Sequence, residues 1–268
     1  MALTDKLSAI GNAIREKTGK SDLLTLEQMP QEIAGIQTGV GDGQFATLVD
    51  GTMTDFVATN QMQGIRQSAF GNYSGLRSAD LTNLGTKNGS LNGLIGPDAF
   101  SKCTNLDRIT LPKAAAAATS STQWILSRAF QETNLSEFVT NYFGTFGWNA
   151  VQIFRSSPAL REVRIPNINF GGSFEYFDAC PALELVEFGG GNVGTNVFRG
   201  CTSLRTIIIR SDTVSTLANV NAFTSVAGPV NIHVNEALIE DYRAATNWSS
   251  LYANGTVNFV AIEGGEYE

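Results

Sequence analysis

Apolar residues along this chain recur at fixed distances from a phenylalanine, which we call the origin of each copy; we call this spacing pattern the ruler. Counting from Phe198, a small or polar residue stands at +3, a leucine at +6, and β-branched residues at +9 and +11. The same spacing recurs in seven copies, whose origins are Phe70, Phe100, Phe130, Phe154, Phe177, Phe198 and Phe223. Successive origins are 30, 30, 24, 23, 21 and 25 residues apart. A fixed internal register at about 20 to 30 residues predicts a solenoid.

Two copies keep the ruler incompletely. The copy from Phe130 fits only if one residue is dropped, which brings Leu135 and Phe138 into place. The copy from Phe223 retains only the end of the pattern, Ile232 and Val234.

The three cysteines, Cys103, Cys180 and Cys201, all occupy the +3 position. We therefore expect each to fill a small buried slot, as free cysteine commonly does. An odd number of cysteines is not a disulfide framework. Cys180 and Cys201 lie in adjacent repeats and could stack one rung apart, which leaves a disulfide or a metal as the minor alternative.

Before the repeats, residues 1–36 carry apolar seams at helical spacing. Two heptads are marginal in water, so the seams must bury themselves against the following chain or in an oligomer. We interpret 1–36 as a helical segment; an internally packed hairpin and a docking or oligomerisation module both remain open. The seam residues are Leu3, Leu7, Ile10 and Ile14, then Leu26, Met29, Ile33 and Ile36.

The remaining boundaries follow from local composition. Residues 37–44, QTGVGDGQ, predict a glycine-rich linker. Residues 45–60 alternate around an Asp-Gly pair and predict a β-hairpin that covers the first repeat. The solenoid then spans 61–234 in about seven repeats. Residues 235–268 predict a capping helix from Asn235, an edge strand over 257–262, and an acidic tail.

Insertions lengthen the early repeats at 82–93, 113–123 and 141–149 and predict surface loops. The third insertion carries Tyr142, Phe143, Phe146 and Trp148. Exposed aromatic rings suit stacking on sugars or anchoring a protein, so we take these four as a candidate receptor-contact loop. The alternative is that the rings fold back to seal a wider repeat. The glycine runs at 171–173 and 189–194 are expected to be turns between rungs.

Composition narrows the possible functions. The net charge is −7 and basic residues do not cluster, which disfavours nucleic-acid binding. No apolar run approaches the roughly 18 to 20 residues that span a bilayer, so membrane insertion is not expected. The first residues mix charged and apolar positions, unlike a signal peptide, so we expect synthesis in a bacterial cytoplasm.

Candidate catalytic chemistry is sparse. His233 is the only histidine, and no Ser-His-Asp, Cys-His or zinc spacing forms around it. Glu184 with Glu187, and Glu175 with Asp178, could serve a glycosidase, but solenoid surfaces carry such charges routinely. We expect no catalytic residues, no metal and no cofactor.

The repeat F-x2-C-x2-L-x2-[IV]-x-[IL], written here as AFSKCTNLDRITL and VFRGCTSLRTIII, resembles the BspA-type leucine-rich repeat over about residues 45–262. The resemblance implies a right-handed solenoid with one short strand per rung, a parallel sheet on one face and few helices. It also implies adhesion and binding, not catalysis. The sequence departs from the family at +3, where four copies have Tyr73, Thr133, Ser157 and Val226.

The opening LTDKLSAIGNAIREKTGKSDLLTLEQMPQEIAGI is similar to the start of many phage tail and virion proteins of bacteria with Gram-positive walls. Together the two resemblances imply a bacteriophage virion protein, most simply a tail fibre or tail-associated protein that binds the host receptor. A head fibre or capsid decoration protein is the alternative, and a glycan-degrading enzyme is a third. Expected partners are other virion proteins through 1–36, a host-surface glycan or protein, and further copies of the chain, with a trimer compatible with the seam.

Overall fold

The computed structural model describes residues 51–85, 93–112, 122–146, 150–172 and 175–262. The seams of 1–36, the linker 37–44, the first arm of the expected hairpin and the acidic tail lie outside the described residues. The second arm of that hairpin, Asp55–Val57, is strand β1, and it pairs in parallel with the strand of the first repeat.

All strand pairings in the described residues are parallel, and they form two sheets with the orders β1-β2-β3 and β11-β10-β8-β7-β6-β4. The predicted solenoid with a parallel sheet is confirmed. After β1, the strands are β2 Ser78–Asp80, β3 Arg108–Thr110, β4 Glu137–Val139, β5 Gly144–Phe146, β6 Glu162–Gly171, β7 Leu185–Val193, β8 Thr206–Ile209, β9 Thr216–Leu217, β10 Val230–Val234 and β11 Val257–Ala261.

The seven origin phenylalanines form one continuous stack through the core, in which the first six rings are nearly parallel and Phe223 is tilted by 48° against Phe198. Adjacent ring centroids lie between 5.3 Å, at Phe70–Phe100, and 5.8 Å, at Phe177–Phe198. Every ring of the stack is buried. The +9 residues also point inward, and β6, β7, β8 and β10 pair them directly, as at Val163 with Val186. The ruler read from the sequence is therefore the core of the solenoid.

Each phenylalanine sits in a tight reversal of the backbone. From Phe70 to Phe198, the residues two before and two after each ring have positive φ, as at Asp98 (56°) and Lys102 (60°) around Phe100; at Phe223 only Ser225 does. The intervening amides bond to the next rung: Asp98 N donates to Ser127 O at 2.9 Å, and Phe100 N to Ala129 O at 2.9 Å. These bonds satisfy the buried backbone of the turn and hold neighbouring rungs in register.

The cysteines fill the small slot predicted for them and also act as donors. Cys103, Cys180 and Cys201 are buried, and each thiol donates to the carbonyl oxygen of the origin phenylalanine one rung earlier, at 3.0, 3.0 and 3.1 Å. Burial raises the pKa of the Cys103 and Cys180 thiols to about 12, so they stay protonated at neutral pH. Ser157 makes the equivalent bond to Phe130 O at 3.1 Å.

The sheet is interrupted between β3 and β4, at the repeat from Phe130, which is one residue shorter than the others between its phenylalanine and its strand. Strands β3 and β4 belong to successive repeats but lie in different sheets. The two repeats still stack at their phenylalanines, and Asn134 N donates to Leu106 O at 3.0 Å. Because the Phe130 copy is one residue short between its phenylalanine and its strand, the stack is kept and the strand pairing is lost.

Two segments expected to be loops or turns form a second set of strand pairings. Strand β5, inside the third insertion, pairs with Ile168–Phe170, and Gly190–Asn192 pairs with Asn169–Gly171. Residues 189–193 therefore belong to β7, which corrects the predicted turn. Glycine is required because a Cβ on Gly191, at φ +97°, would lie 2.3 Å from Phe170 O.

The C-terminal lid is divided, where one capping helix was predicted. A 3-10 turn, Glu236–Leu238, is capped by Asn235 and leads into α1, Ile239–Ala244; α2 covers Trp248–Ala253. The break lets Trp248 Nε1 donate to Ser215 O at 2.7 Å, while Tyr242 Oη accepts from Ser215 N at 2.9 Å. Strand β11 then pairs with β10. No described helix is long and apolar enough to cross a bilayer.

The thiol bonds predict an order of stability at position 180. Cys180→Ser keeps a donor toward Phe154 O, whereas Cys180→Ala removes it, so the serine variant should be more stable by about 1 kcal/mol. Urea denaturation of both variants measures the difference. An alanine variant as stable as the serine variant would show that the slot selects only for size.

Candidate binding surface

Residues that alternate with the core row point away from the core and form what we call the outward face of the sheet. In the second sheet, residues directly opposite one another on this face form one row. In spatial order that row is Val139, Arg164, Glu187, Ile208, His233 and Val260. His233 lies on this face and is half-buried.

An exposed apolar patch lies at one edge of this face. Val139 ends β4 and is 51% exposed, and Phe143, just before β5, is 56% exposed. Both strands pair with β6, so the segment that joins them runs along the edge left open by the sheet interruption. We call these two residues the Val139–Phe143 patch. Large exposed apolar side chains on a polar rim are typical of a recognition surface.

Only part of the predicted receptor-contact loop lies at this surface. Tyr142 and Phe146 are buried in the core, so their assignment as contact residues is corrected. Phe143 is exposed, and its role in receptor contact stays a prediction. Tyr142 Oη donates to Pro112 O, and its ring packs on Trp124 with centroids 4.6 Å apart. Trp148 lies outside the described residues.

The side chains of residues 142–146 point in different directions: Tyr142 and Phe146 point into the core, and Phe143 points toward solvent. Phe146 stacks on Phe170 at 6.1 Å, which in turn stacks on Phe188 at 4.0 Å. Burial raises the pKa of Tyr142 to about 12. The alternative left open by the sequence, rings that seal a wider repeat, therefore holds for Tyr142 and Phe146.

A charge network occupies the centre of the outward face. Glu187 lies between arginines of the two neighbouring rungs: Arg164 Nη1 is 3.1 Å from its Oε2, and Arg210 Nε is 2.7 Å from its Oε1. Arg164 also pairs with Glu162. The carboxylate of Glu187 is almost fully buried under these groups.

A similar network lies on the turns that carry the phenylalanines. Arg199 holds Asp178 in a bidentate pair at 2.7 Å, and Arg155 approaches the same carboxylate to 3.2 Å. Glu175 accepts from Gln152 at 2.6 Å. The carboxylates considered for glycoside hydrolysis are thus engaged in ion pairs or hydrogen bonds between rungs, with Glu184 exposed on the surface.

No group of three or more His, Cys, Asp and Glu side chains that could hold a metal occurs in the part of the chain that the structure describes. The arrangement offers a rigid, mixed-charge face with an apolar edge, which suits binding to a macromolecular surface. The expectation that the chain is not an enzyme stays a prediction.

The outward row could have been read from the sequence, because its members share one position of the ruler. Arg164, Glu187, Ile208 and His233 all stand at +10 of the ruler, between the two inward positions +9 and +11. Side chains alternate across a strand, so +10 must face outward. Val139 takes the same place in the copy that lacks one residue.

Comparison with known proteins agrees with this geometry. A model of the BspA type leucine rich repeat region matches in 6 copies, over residues 40–169, 90–190 and 173–241. The chain belongs to the BspA-type leucine-rich repeat family. Its similarity to a leucine-rich repeat protein from Bacteroides ovatus ATCC 8483 is 15% in sequence with a TM-score of 0.33, covering 76% of this chain and 58% of that one. No curated protein matches the sequence.

The ion pairs of Asp178 and Asp98 with arginines give a testable contrast between a buried and a more exposed carboxylate. Asp178→Asn leaves Arg155 and Arg199 without their shared anion and should lower the free energy of unfolding by about 1.5–3 kcal/mol, as for lost hydrogen bonds to a charged group. Asp98→Asn is the matched control, since Asp98 pairs with only Arg128 and its side chain is 21% exposed against 4% for Asp178; its loss should be about 1 kcal/mol or less.

Urea denaturation of both variants measures this contrast. Guanidinium chloride is unsuitable because it is a salt and would itself screen the ion pairs. Equal losses for the two variants would contradict the role assigned to burial.

Proposed function

We propose that this chain is a bacteriophage virion protein, a tail fibre or tail-associated protein, that adheres to the host surface through the outward face of its solenoid. Membership in the BspA-type leucine-rich repeat family supports a repeat scaffold with an adhesion-type surface. The virion assignment is supported by the similarity of residues 1–36 to the start of phage tail and virion proteins. In this proposal that segment attaches the chain to other virion proteins, and copies of the chain associate.

The observation that carries the binding role is the Val139–Phe143 patch. An aromatic ring that is more than half exposed gains large contact area on binding for little lost side-chain entropy. Val139, the other residue of the patch, has charged neighbours that can orient a partner: Glu137 on the same strand and Arg164 opposite it on β6. An apolar centre with a polar surround is the usual anatomy of an interface.

The partner class that fits this patch is a host-surface glycan or protein. A single planar ring at an edge can stack on the apolar face of a sugar or enter a pocket of a protein. Neither use needs a metal or a cofactor.

The test is binding of the full-length chain to host cells. Phe143→Ser and Val139→Ser should each weaken binding about 10-fold or more, as expected for loss of a hot-spot side chain. Val57→Ser is the matched control, because Val57 is also exposed but ends β1 at the far end of the solenoid; its binding should equal the wild type.

Two results would count against the proposal. Wild-type chain that fails to bind any host cell removes the adhesion role and favours a structural part such as a head fibre. Equal binding by Phe143→Ser and wild type places the contact elsewhere on the molecule. Mass spectrometry of purified particles, in search of this chain, tests the virion assignment separately.

A further inference from the structure

A polar recess opens on the turns that carry the first three origin phenylalanines. Its eight lining residues all stand at −2, +1 or +2 of Phe70, Phe100 or Phe130, and we name the recess after one of them, Ser101. Its volume is about 270 Å³, just below the roughly 300–1,000 Å³ of pockets that hold drug-sized ligands. The Ser101 recess therefore suits one small polar group.

The recess exists because the +1 residues of the first rungs are small. In the fourth to sixth rungs the +1 residues are Arg155, Asp178 and Arg199, whose side chains meet one another in ion pairs across the turns. In the first two rungs the same position holds Gly71 and Ser101. Their side chains are too short to meet across the rungs, so this part of the turns stays open.

Polar groups of the recess lack partners. Ser101 is 7% exposed, and its hydroxyl makes no hydrogen bond to any residue that the structure describes. Gln131 Oε1 is also buried without a partner, although Gln131 Nε2 donates to Glu132 Oε1 at 2.8 Å. Buried polar side chains are usually satisfied by protein or by a bound molecule. The Ser101 recess thus has the unspent hydrogen-bonding capacity of a binding site.

A backbone acceptor of the first rung is free as well. Turn amides donate to the following rung, as Asn72 N does to Ser101 O at 2.7 Å and Lys102 N to Gln131 O at 2.8 Å. The carbonyl oxygen of Gly71 is in the first of these turns, and among the described residues it receives no such donor. The recess therefore offers an acceptor beside the Ser101 hydroxyl.

The lining carries an excess of positive charge. Lys102 is exposed and forms no ion pair with a described residue. Arg128 binds Asp98 through Nε and Nη2, at 2.7 and 2.8 Å, which leaves three of its five N–H donors unused. Two cations against the one lining carboxylate give a formal charge of +1, and Glu132, which holds Gln131 Nε2, lies outside the lining.

Spare cationic donors and a spare acceptor together decide the ligand class. A carboxylate alone accepts hydrogen bonds and donates none, so it would leave the Gly71 carbonyl without a donor. A sugar hydroxyl both donates and accepts. An acidic sugar meets the whole set, because its carboxylate can form charge-assisted bonds with Lys102 and Arg128 while its hydroxyls bond to Ser101 and Gly71.

We propose that the Ser101 recess binds one acidic sugar unit of a glycan, with the carboxylate at Lys102 and Arg128 and hydroxyls at Ser101 and the Gly71 carbonyl. The site lies on the turns and shares no residue with the Val139–Phe143 patch. The inference does not rest on the proposed host-binding function.

Titration of the full-length chain with two methyl glycosides tests the site by amide chemical shifts. Methyl β-D-glucuronide carries a carboxylate where methyl β-D-glucoside carries a hydroxymethyl group. The glucuronide should shift the amides of Gly71, Ser101 and Lys102, and the glucoside should not. Lys102→Gln should weaken glucuronide binding about 10-fold or more, and Ser101→Ala about 5-fold, as for a charged and a neutral hydrogen bond.

Arg108→Gln is the matched control. It removes the same charge from the same rung, but the Arg108 side chain is 76% exposed and lies outside the recess. Its affinity for the glucuronide should equal that of the wild type, as should that of Phe143→Ser, which bears only on the proposed function.

Four results would overturn the proposal. The first is a glucuronide titration that shifts none of the recess amides, and the second is equal binding of the glucoside. The third is equal weakening by Arg108→Gln and Lys102→Gln, which would assign the effect to overall charge. The fourth is inorganic phosphate that binds as tightly as the glucuronide at the same amides, which would mark a general oxyanion site.

Discussion

Stacking of one phenylalanine on the next at 5.3–5.8 Å is the constraint on which the rest of this solenoid depends. The rings sit in reversals whose amides bond to the next rung, so ring stacking and backbone bonding impose the same repeat distance. The +3 donors reinforce that distance, because a thiol or hydroxyl from one rung bonds to the phenylalanine carbonyl of the rung before.

The aromatic stack continues across the interruption of the sheet. In the copy from Phe130 the missing residue could have displaced either the ring or the strand. Phe130 stays in the stack, 5.5 Å from Phe100 and 5.7 Å from Phe154, and the pairing between β3 and β4 is lost. The exposed edge that carries Val139 and Phe143 is thus a consequence of keeping the aromatic core continuous. A single deletion in a repeat produces a surface that regular repeats lack.

The sequence predicts the periodic parts of the fold. It does not predict strand pairings between residues that occupy different positions of the repeat. The origins Phe70 to Phe223, the inward +9 residues and the cysteine slot all follow from spacing, because each is repeated with the same neighbours. The strand over 189–193 could not be predicted from glycines that usually mark turns; here the missing side chain of Gly191 permits its close pairing with Phe170.

The candidate site was predictable only in part. Tyr142 and Phe146 were assigned to the same surface as the exposed Phe143 because aromatic composition does not reveal which rings face inward. Strand β5 decides this, and its pairing with Ile168–Phe170 joins residues that share no repeat position. The outward +10 row was readable from alternation alone, whereas the burial of Ile208 within it required the structure.

The central claim is that the phenylalanine stack, not the sheet, holds the rungs together. The free energy of unfolding of Phe130→Ala tests it most directly, because Phe130 belongs to the rung at which the sheet is interrupted. The stack predicts a loss of about 3–5 kcal/mol, as for a buried ring in a core that cannot collapse around the cavity. A loss near that of exposed Phe143→Ala, within about 0.5 kcal/mol of the wild type, would contradict it.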